Sequence, residues 1–281
     1  MKAAFSSLRF PRCFPACAGL VVLLFLAACA TTAPPPPAAA SPQPTAAAPK
    51  PTTGKPLRIG VNPTMPPIVF KEGSQLTGIE ADLGRGFAQH LGRPVEFVEL
   101  PWNDLLPALQ RGRVDIVMSG MSITAERQSI VDFAPPYLNS GLVAVLRRDQ
   151  QEALGYFFNQ KVKLGVKPGT TGEFYVQQQH PRNPVKKFRE PREAAEAIKK
   201  GNIEVFFIDA PVAWYLAGQY ESAGLTATTS LLTTEALGWA VRKGDVPLLD
   251  AATEYLELIR KNGAKTAIMR RWLGGMYAPG K

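Results

Sequence analysis

Apolar and polar positions along the chain repeat one pattern twice. Leu57-Arg58-Ile59-Gly60-Val61 and Val162-Lys163-Leu164-Gly165-Val166 are short β-prone runs, each closed by a proline turn at Pro63 or Pro168, which reads as a strand. Leu105 to Arg111 and Ala194 to Lys200 carry apolar residues at spacings of three and four and stop at Gly112 and Gly201, which reads as a helix with a glycine terminator. Strand-like runs follow both glycines, Arg113 to Val117 and Asn202 to Ile208. The last segment adds a strand over Leu237 to Val241 and helical patterns over Val246 to Arg260 and Ala264 to Leu273.

Strands alternating with helices predict two α/β lobes with mainly parallel sheets, in which ligands collect beyond the carboxyl ends of the strands. Returning the last segment to the first lobe makes the chain cross between lobes twice, near Ala144 to Arg148 and near Thr233 to Leu237. The expected division is residues 56–145 plus 237–281 for lobe 1 and 146–236 for lobe 2. Two crossings make a hinge.

The start of the chain belongs to neither lobe. Lys2, Arg9 and Arg12 precede an apolar run from Ala18 to Ala28, too short for the roughly 20 residues of a membrane span and laid out as an export signal. It ends in Leu26-Ala27-Ala28-Cys29, similar to the bacterial lipobox, so residues 1–28 are expected to be removed and Cys29 acylated. Cys13 and Cys17 leave with the signal, and the mature chain then has neither a disulfide nor a thiol nucleophile. Residues 29–55 are rich in Ala, Pro and Thr, the composition of a semi-rigid linker and not of a core.

The formal charge of +9 becomes +6 without Lys2, Arg9 and Arg12. Its Lys and Arg are scattered without interleaved aromatics, which argues against nucleic-acid binding. The chain has no phosphate loop, no Gly-x-Ser-x-Gly elbow and no His-Glu-x-x-His. Its two histidines, His90 and His180, have no ligand-like neighbour at metal spacing, so neither a metal nor a cofactor is expected.

Candidate binding residues follow the strands. In Ser119-Gly120-Met121-Ser122-Ile123-Thr124-Ala125-Glu126-Arg127, Gly120 permits close backbone approach, Ser119 and Ser122 offer hydroxyls, and Thr124 can cap a short helix. A guanidinium at Arg127 suits a carboxylate through two parallel hydrogen bonds; the alternative is a surface ion pair with Glu126 or Asp132. Gly169-Thr170-Thr171-Gly172-Glu173 is either an anion cradle or a plain turn. Asp209, directly after a strand and before Ala210-Pro211, is either a helix cap or an acceptor for an ammonium group.

Several blocks then resemble one family. Gly78-Ile79-Glu80-Ala81-Asp82-Leu83, Trp102-Asn103-Asp104-Leu105-Leu106-Pro107-Ala108-Leu109, Gly112-Arg113-Val114-Asp115, Ser122-Ile123-Thr124 with Arg127, and Asp132-Phe133-Ala134 with Pro136-Tyr137 are similar to bacterial extracellular solute-binding protein family 3. The likeness runs from Leu57 to Leu273. It implies a type II periplasmic-binding-protein fold and an exported, non-enzymatic, monomeric receptor. The receptor would capture an amino acid or related small carboxylate for an ABC permease in the inner membrane, lipid-anchored at the periplasmic face of the cell envelope.

By the resemblance, Arg127 takes the ligand α-carboxylate with Ser122, Gly120 and the Thr170/Thr171 loop, Ser119 lies beside them, Asp209 takes the α-amino group and Trp102 forms a pocket wall. Met65 stands where the family often has an aromatic residue before Pro-Pro. The alternatives are a periplasmic dehydratase-like enzyme on this fold, with Glu173 as its general acid, and a ligand-sensing lobe.

Overall fold

The computed structural model of the protein describes residues 54–151, 155 and 162–274. The expected signal, Cys29 and almost all of the linker lie outside the described residues.

Two five-stranded sheets share one pattern of strand directions. In the first, Val95–Glu99, Leu57–Val61 and Ile116–Val117 run parallel, and Ala240–Arg242 joins antiparallel between Ile116–Val117 and Val131–Phe133. In the second, Val185–Lys187, Leu164–Val166 and Val205–Asp209 run parallel, followed by antiparallel Leu142–Arg147 and then Leu225–Ala227. The sheets are therefore mixed where mainly parallel ones were expected: each has three parallel strands and two antiparallel pairings.

Burial explains the strands. Leu57, Ile59 and Val61 are fully buried, and each side chain of that size contributes about 1.5–3 kcal/mol when removed from water. Trp239 is equally buried against the rings of Phe87, Tyr137 and Tyr255. Helix ends follow local rules as well. Glu190 and Glu193 form a reciprocal capping box around Pro191 at the start of Pro191–Lys199, and Gly201 follows its end at φ +69°.

The crossing strands are Leu138–Ser140 and Glu235–Leu237, paired antiparallel. The first crossing therefore lies earlier than Ala144 to Arg148. Leu142–Arg147 is an interior strand of the second sheet, bonded on one side to Val205–Asp209 and on the other to Leu225–Ala227. The expected boundary at 145/146 cuts through that strand, and the second sheet begins at Leu142.

Candidate functional site

The carboxyl ends of four parallel strands carry polar residues toward the junction between the sheets: Asn62 after Leu57–Val61, Ser119 beyond Ile116–Val117, Lys167 after Leu164–Val166, and Asp209 at the end of Val205–Asp209. All four are buried.

Arg127 is delivered by a short helix, Ala125–Ile130, whose start is capped as expected: the Thr124 hydroxyl accepts from the Arg127 amide at 3.3 Å. The side chain turns inward. Its Nη1 donates to the Ser122 carbonyl at 2.7 Å and its Nη2 to the Gly169 carbonyl of the other lobe at 3.2 Å. Neither surface ion pair forms: Asp132 pairs with Lys243 at 2.8 Å, and Glu126 Oε2 accepts from the Thr124 hydroxyl at 3.1 Å. The guanidinium lies over the Trp102 ring at 5.5 Å, and Trp102 Nε1 donates to the same Gly169 carbonyl at 3.0 Å. Trp102 is thus half-buried between Arg127 and the hydrophobic cluster of Leu105 and Leu109. Gly169 adopts φ +72°, and a Cβ there would lie 2.2 Å from Asn103 Oδ1, so no larger residue fits without a shift.

Asp209 heads the helix Ala210–Gln219, yet its side chain makes no cap bond. Its Oδ1 is buried without a hydrogen-bond partner. Burial and the nearby Glu235 push its carboxyl up to about 7, with Arg127 and Lys167 pulling the other way. An orphaned buried carboxylate oxygen is costly unless a cation or donor reaches it.

Lys167 crosses from the second lobe to the first. Its Nζ donates to Asn62 Oδ1 at 3.1 Å, to Thr64 Oγ1 at 3.2 Å and to the Arg189 carbonyl. Burial lowers its ammonium to about 8, while Glu190, Glu193 and Asp209 favour the charge. A cavity of about 550 Å³ borders Lys167, Asn62, Thr64 and Trp102.

Several expected ligand groups already have partners. The Ser119 hydroxyl accepts from the Asn62 amide at 2.8 Å. The Gly120 amide donates to the fully buried Glu80 carboxyl group, where the glycine has φ +68°. Thr170 donates to the Lys167 carbonyl at 2.7 Å and closes the turn. Ser122 and Thr171 both donate to Glu235 Oε2, at 2.5 and 2.9 Å, and Thr233 donates to its Oε1 at 2.8 Å. Met65 is buried in the hydrophobic cluster with Ile68 and Val69. Among the expected residues, Trp102 borders the cavity of about 550 Å³, Arg127 lies beside it, and Asp209 keeps an unpartnered Oδ1.

Asn62, Lys167 and Glu235 were not anticipated. The first two were within reach, because both directly follow strands. Glu235 carries no local signal: Ser122, one of its partners, lies 113 positions away.

Glu173 is unsuited to proton donation. Burial raises its carboxyl, but the Lys187 ammonium at 2.7 Å and the Gly169 amide at 2.8 Å outweigh that and hold it below the usual range. A carboxylate so held stays ionised at neutral pH, when a general acid must carry a proton.

Residues 57–275 match the bacterial extracellular solute-binding proteins, family 3. The L-cystine-binding protein TcyJ of Escherichia coli strain K12 is 27% identical over 220 residues, which cover 78% of this chain and 82% of that protein. An ancestral arginine-binding protein bound to arginine is 34% identical, with a TM-score of 0.74, over 78% of this chain and 98% of that one. An ancestral arginine-binding protein bound to glutamine matches at 34% identity and a TM-score of 0.74, over 79% and 99%. With its two mixed sheets, two crossing strands and polar strand ends, this chain belongs to the bacterial extracellular solute-binding proteins, family 3.

Proposed function

We propose that the protein captures an α-amino acid between its lobes and passes it to an ABC permease. Arg127 holds the α-carboxylate, Asp209 the α-ammonium, and Trp102 one wall of the pocket. The observation that carries this reading is the buried, unpartnered Oδ1 of Asp209, near enough to Arg127 of the other lobe for each to act on the other's charge. A zwitterion supplies what each side chain lacks: an anion for a buried guanidinium and a donor for a buried carboxylate. Because the two residues belong to different lobes, a ligand gripping both favours closure by its differential affinity for the closed state. The relatives named for arginine and cystine support the amino-acid class.

In this reading residues 1–28 are removed and Cys29 carries acyl chains. Residues 29–55 then hold a monomeric receptor off the periplasmic face of the membrane. Titration calorimetry with L-amino acids and their deaminated and decarboxylated analogues tests the grip. Binding is expected to need both α-groups, and Arg127→Ala to lose about thirtyfold or more, as for truncation of a buried charged pair. Equal binding of either analogue, or an Arg127→Ala variant within a few-fold of the parent, refutes it.

A further inference from the structure

Lys167 is almost fully buried and makes no ion pair among the described residues. Its three donors go to neutral acceptors: the Asn62 side-chain carbonyl, the Thr64 hydroxyl and the Arg189 backbone carbonyl. The carboxylates that border the same cavity, Glu99, Asp104 and Glu190, are exposed, and Glu99 pairs with Lys71 at 2.9 Å. Glu190 and Glu193, both exposed, and the buried Asp209 favour the ammonium without forming an ion pair with it.

Asn62 is saturated too. Its Oδ1 accepts from Lys167 and from the Thr64 hydroxyl at 2.8 Å, and its Nδ2 donates to the Leu100 carbonyl at 3.0 Å. One cavity is lined by Trp102, whose ring lies under the Arg127 guanidinium, and by Asn62, Thr64 and Lys167. A ligand held by its α-groups at Arg127 and Asp209 therefore extends its side chain along Trp102 toward Lys167. A guanidinium or ammonium arriving there meets a buried positive charge, and Asn62 Oδ1 beside it is already doubly bonded. A carboxylate or carboxamide oxygen meets the reverse: an ammonium whose bond to Thr64, the longest of the three, can be exchanged for one to the ligand.

We infer that Lys167 sets the ligand class, selecting amino acids whose side chain ends in a carbonyl or carboxylate acceptor and disfavouring those that end in a cation. This rests on the capture reading above and narrows it.

Titration calorimetry with L-glutamate, L-glutamine, L-arginine and L-lysine tests it on the parent protein, Lys167→Met and Asn62→Asp. Lys167→Met removes the charge. Asn62→Asp retains it and places a neutralising carboxylate against it, so the test survives if Lys167→Met fails to fold. The parent is expected to bind L-glutamate or L-glutamine at least about tenfold more tightly than L-arginine or L-lysine, as like-charge juxtaposition in a desolvated site requires. Each folded variant is expected to shift that ratio toward the cationic ligands by about tenfold or more. A parent that prefers L-arginine or L-lysine overturns the inference alone, and so do folded variants that keep the parent's ratio. If no amino acid of any charge class binds the parent, the capture reading fails and the inference with it. Should neither variant fold, the parent's own order of preference decides.

Discussion

Asp209 makes ligand capture sensitive to pH in a calculable way. Burial first, and Glu235 second, push its carboxyl up to about 7, while a free α-ammonium needs the ionised form. The apparent dissociation constant is the intrinsic one divided by the competent, ionised fraction. With a midpoint near 7, affinity is expected to fall about eightfold at about pH 6 and about eightyfold at about pH 5, relative to about pH 7.5. These ratios correspond to about 1.2 and about 2.6 kcal/mol. Near the midpoint, binding should release about half a proton per ligand, which calorimetry in two buffers of different ionisation enthalpy counts directly. Glu235→Gln removes the repelling neighbour and is expected to move the midpoint to lower pH. Asp209→Asn is expected to bind more weakly with no slope over this range. Constant parent affinity between about pH 7.5 and about pH 5, or an Asp209→Asn variant that keeps the slope, refutes the assignment of Asp209 to the ammonium group.

Three other outcomes are expected. Gly169→Ala places a methyl group against Asn103 Oδ1 at a left-handed φ and should weaken capture at least about tenfold without unfolding either sheet; parent-like affinity counts against cross-cleft contacts at Gly169. Glu80 is held protonated to about 8, by burial acting against the Gly120 amide, so its stabilising contribution is full below about 4.5 and is lost as pH rises toward about 8, by about 1.4 kcal/mol per pH unit. Glu80→Gln should therefore flatten the melting-temperature profile between about pH 6 and about pH 8, and an unchanged profile rejects the protonated assignment. Cys29→Ser should move the protein from the detergent-extracted membrane fraction to the soluble extract, and persistent membrane association rejects acylation there.

Much of this was legible in the sequence where the cause is local. Gly112 and Gly201 stop helices at φ +71° and +69° because glycine adopts that conformation without strain. Thr124 caps the helix that carries Arg127, and Asp209 stands at the end of its strand. Distant pairing is what stayed hidden. Leu142 to Leu146 is apolar at every position and buried on both faces, so its composition fits an interior strand and a crossing strand equally well. Only its neighbours in the sheet distinguish the two. The same limit governs the polar groups. Whether the Gly120 amide or the Ser122 hydroxyl is free depends on Glu80 and Glu235, which lie 40 and 113 positions away.

The late strand Ala240–Arg242 has a consequence for the order in which the molecule can assemble. It lies inside the first sheet, between Ile116–Val117 and Val131–Phe133, so that sheet stays split until the chain has been made through Arg242. The second sheet spans Leu142 to Ala227 without interruption and needs nothing from either end. A chain emerging from the ribosome can therefore finish its later half first, while its earlier half waits, holding two separate pieces of sheet. Contacts between such distant segments form slowly, because loop closure precedes any gain from pairing. The first sheet thus keeps unpaired strand edges until Ala240–Arg242 arrives.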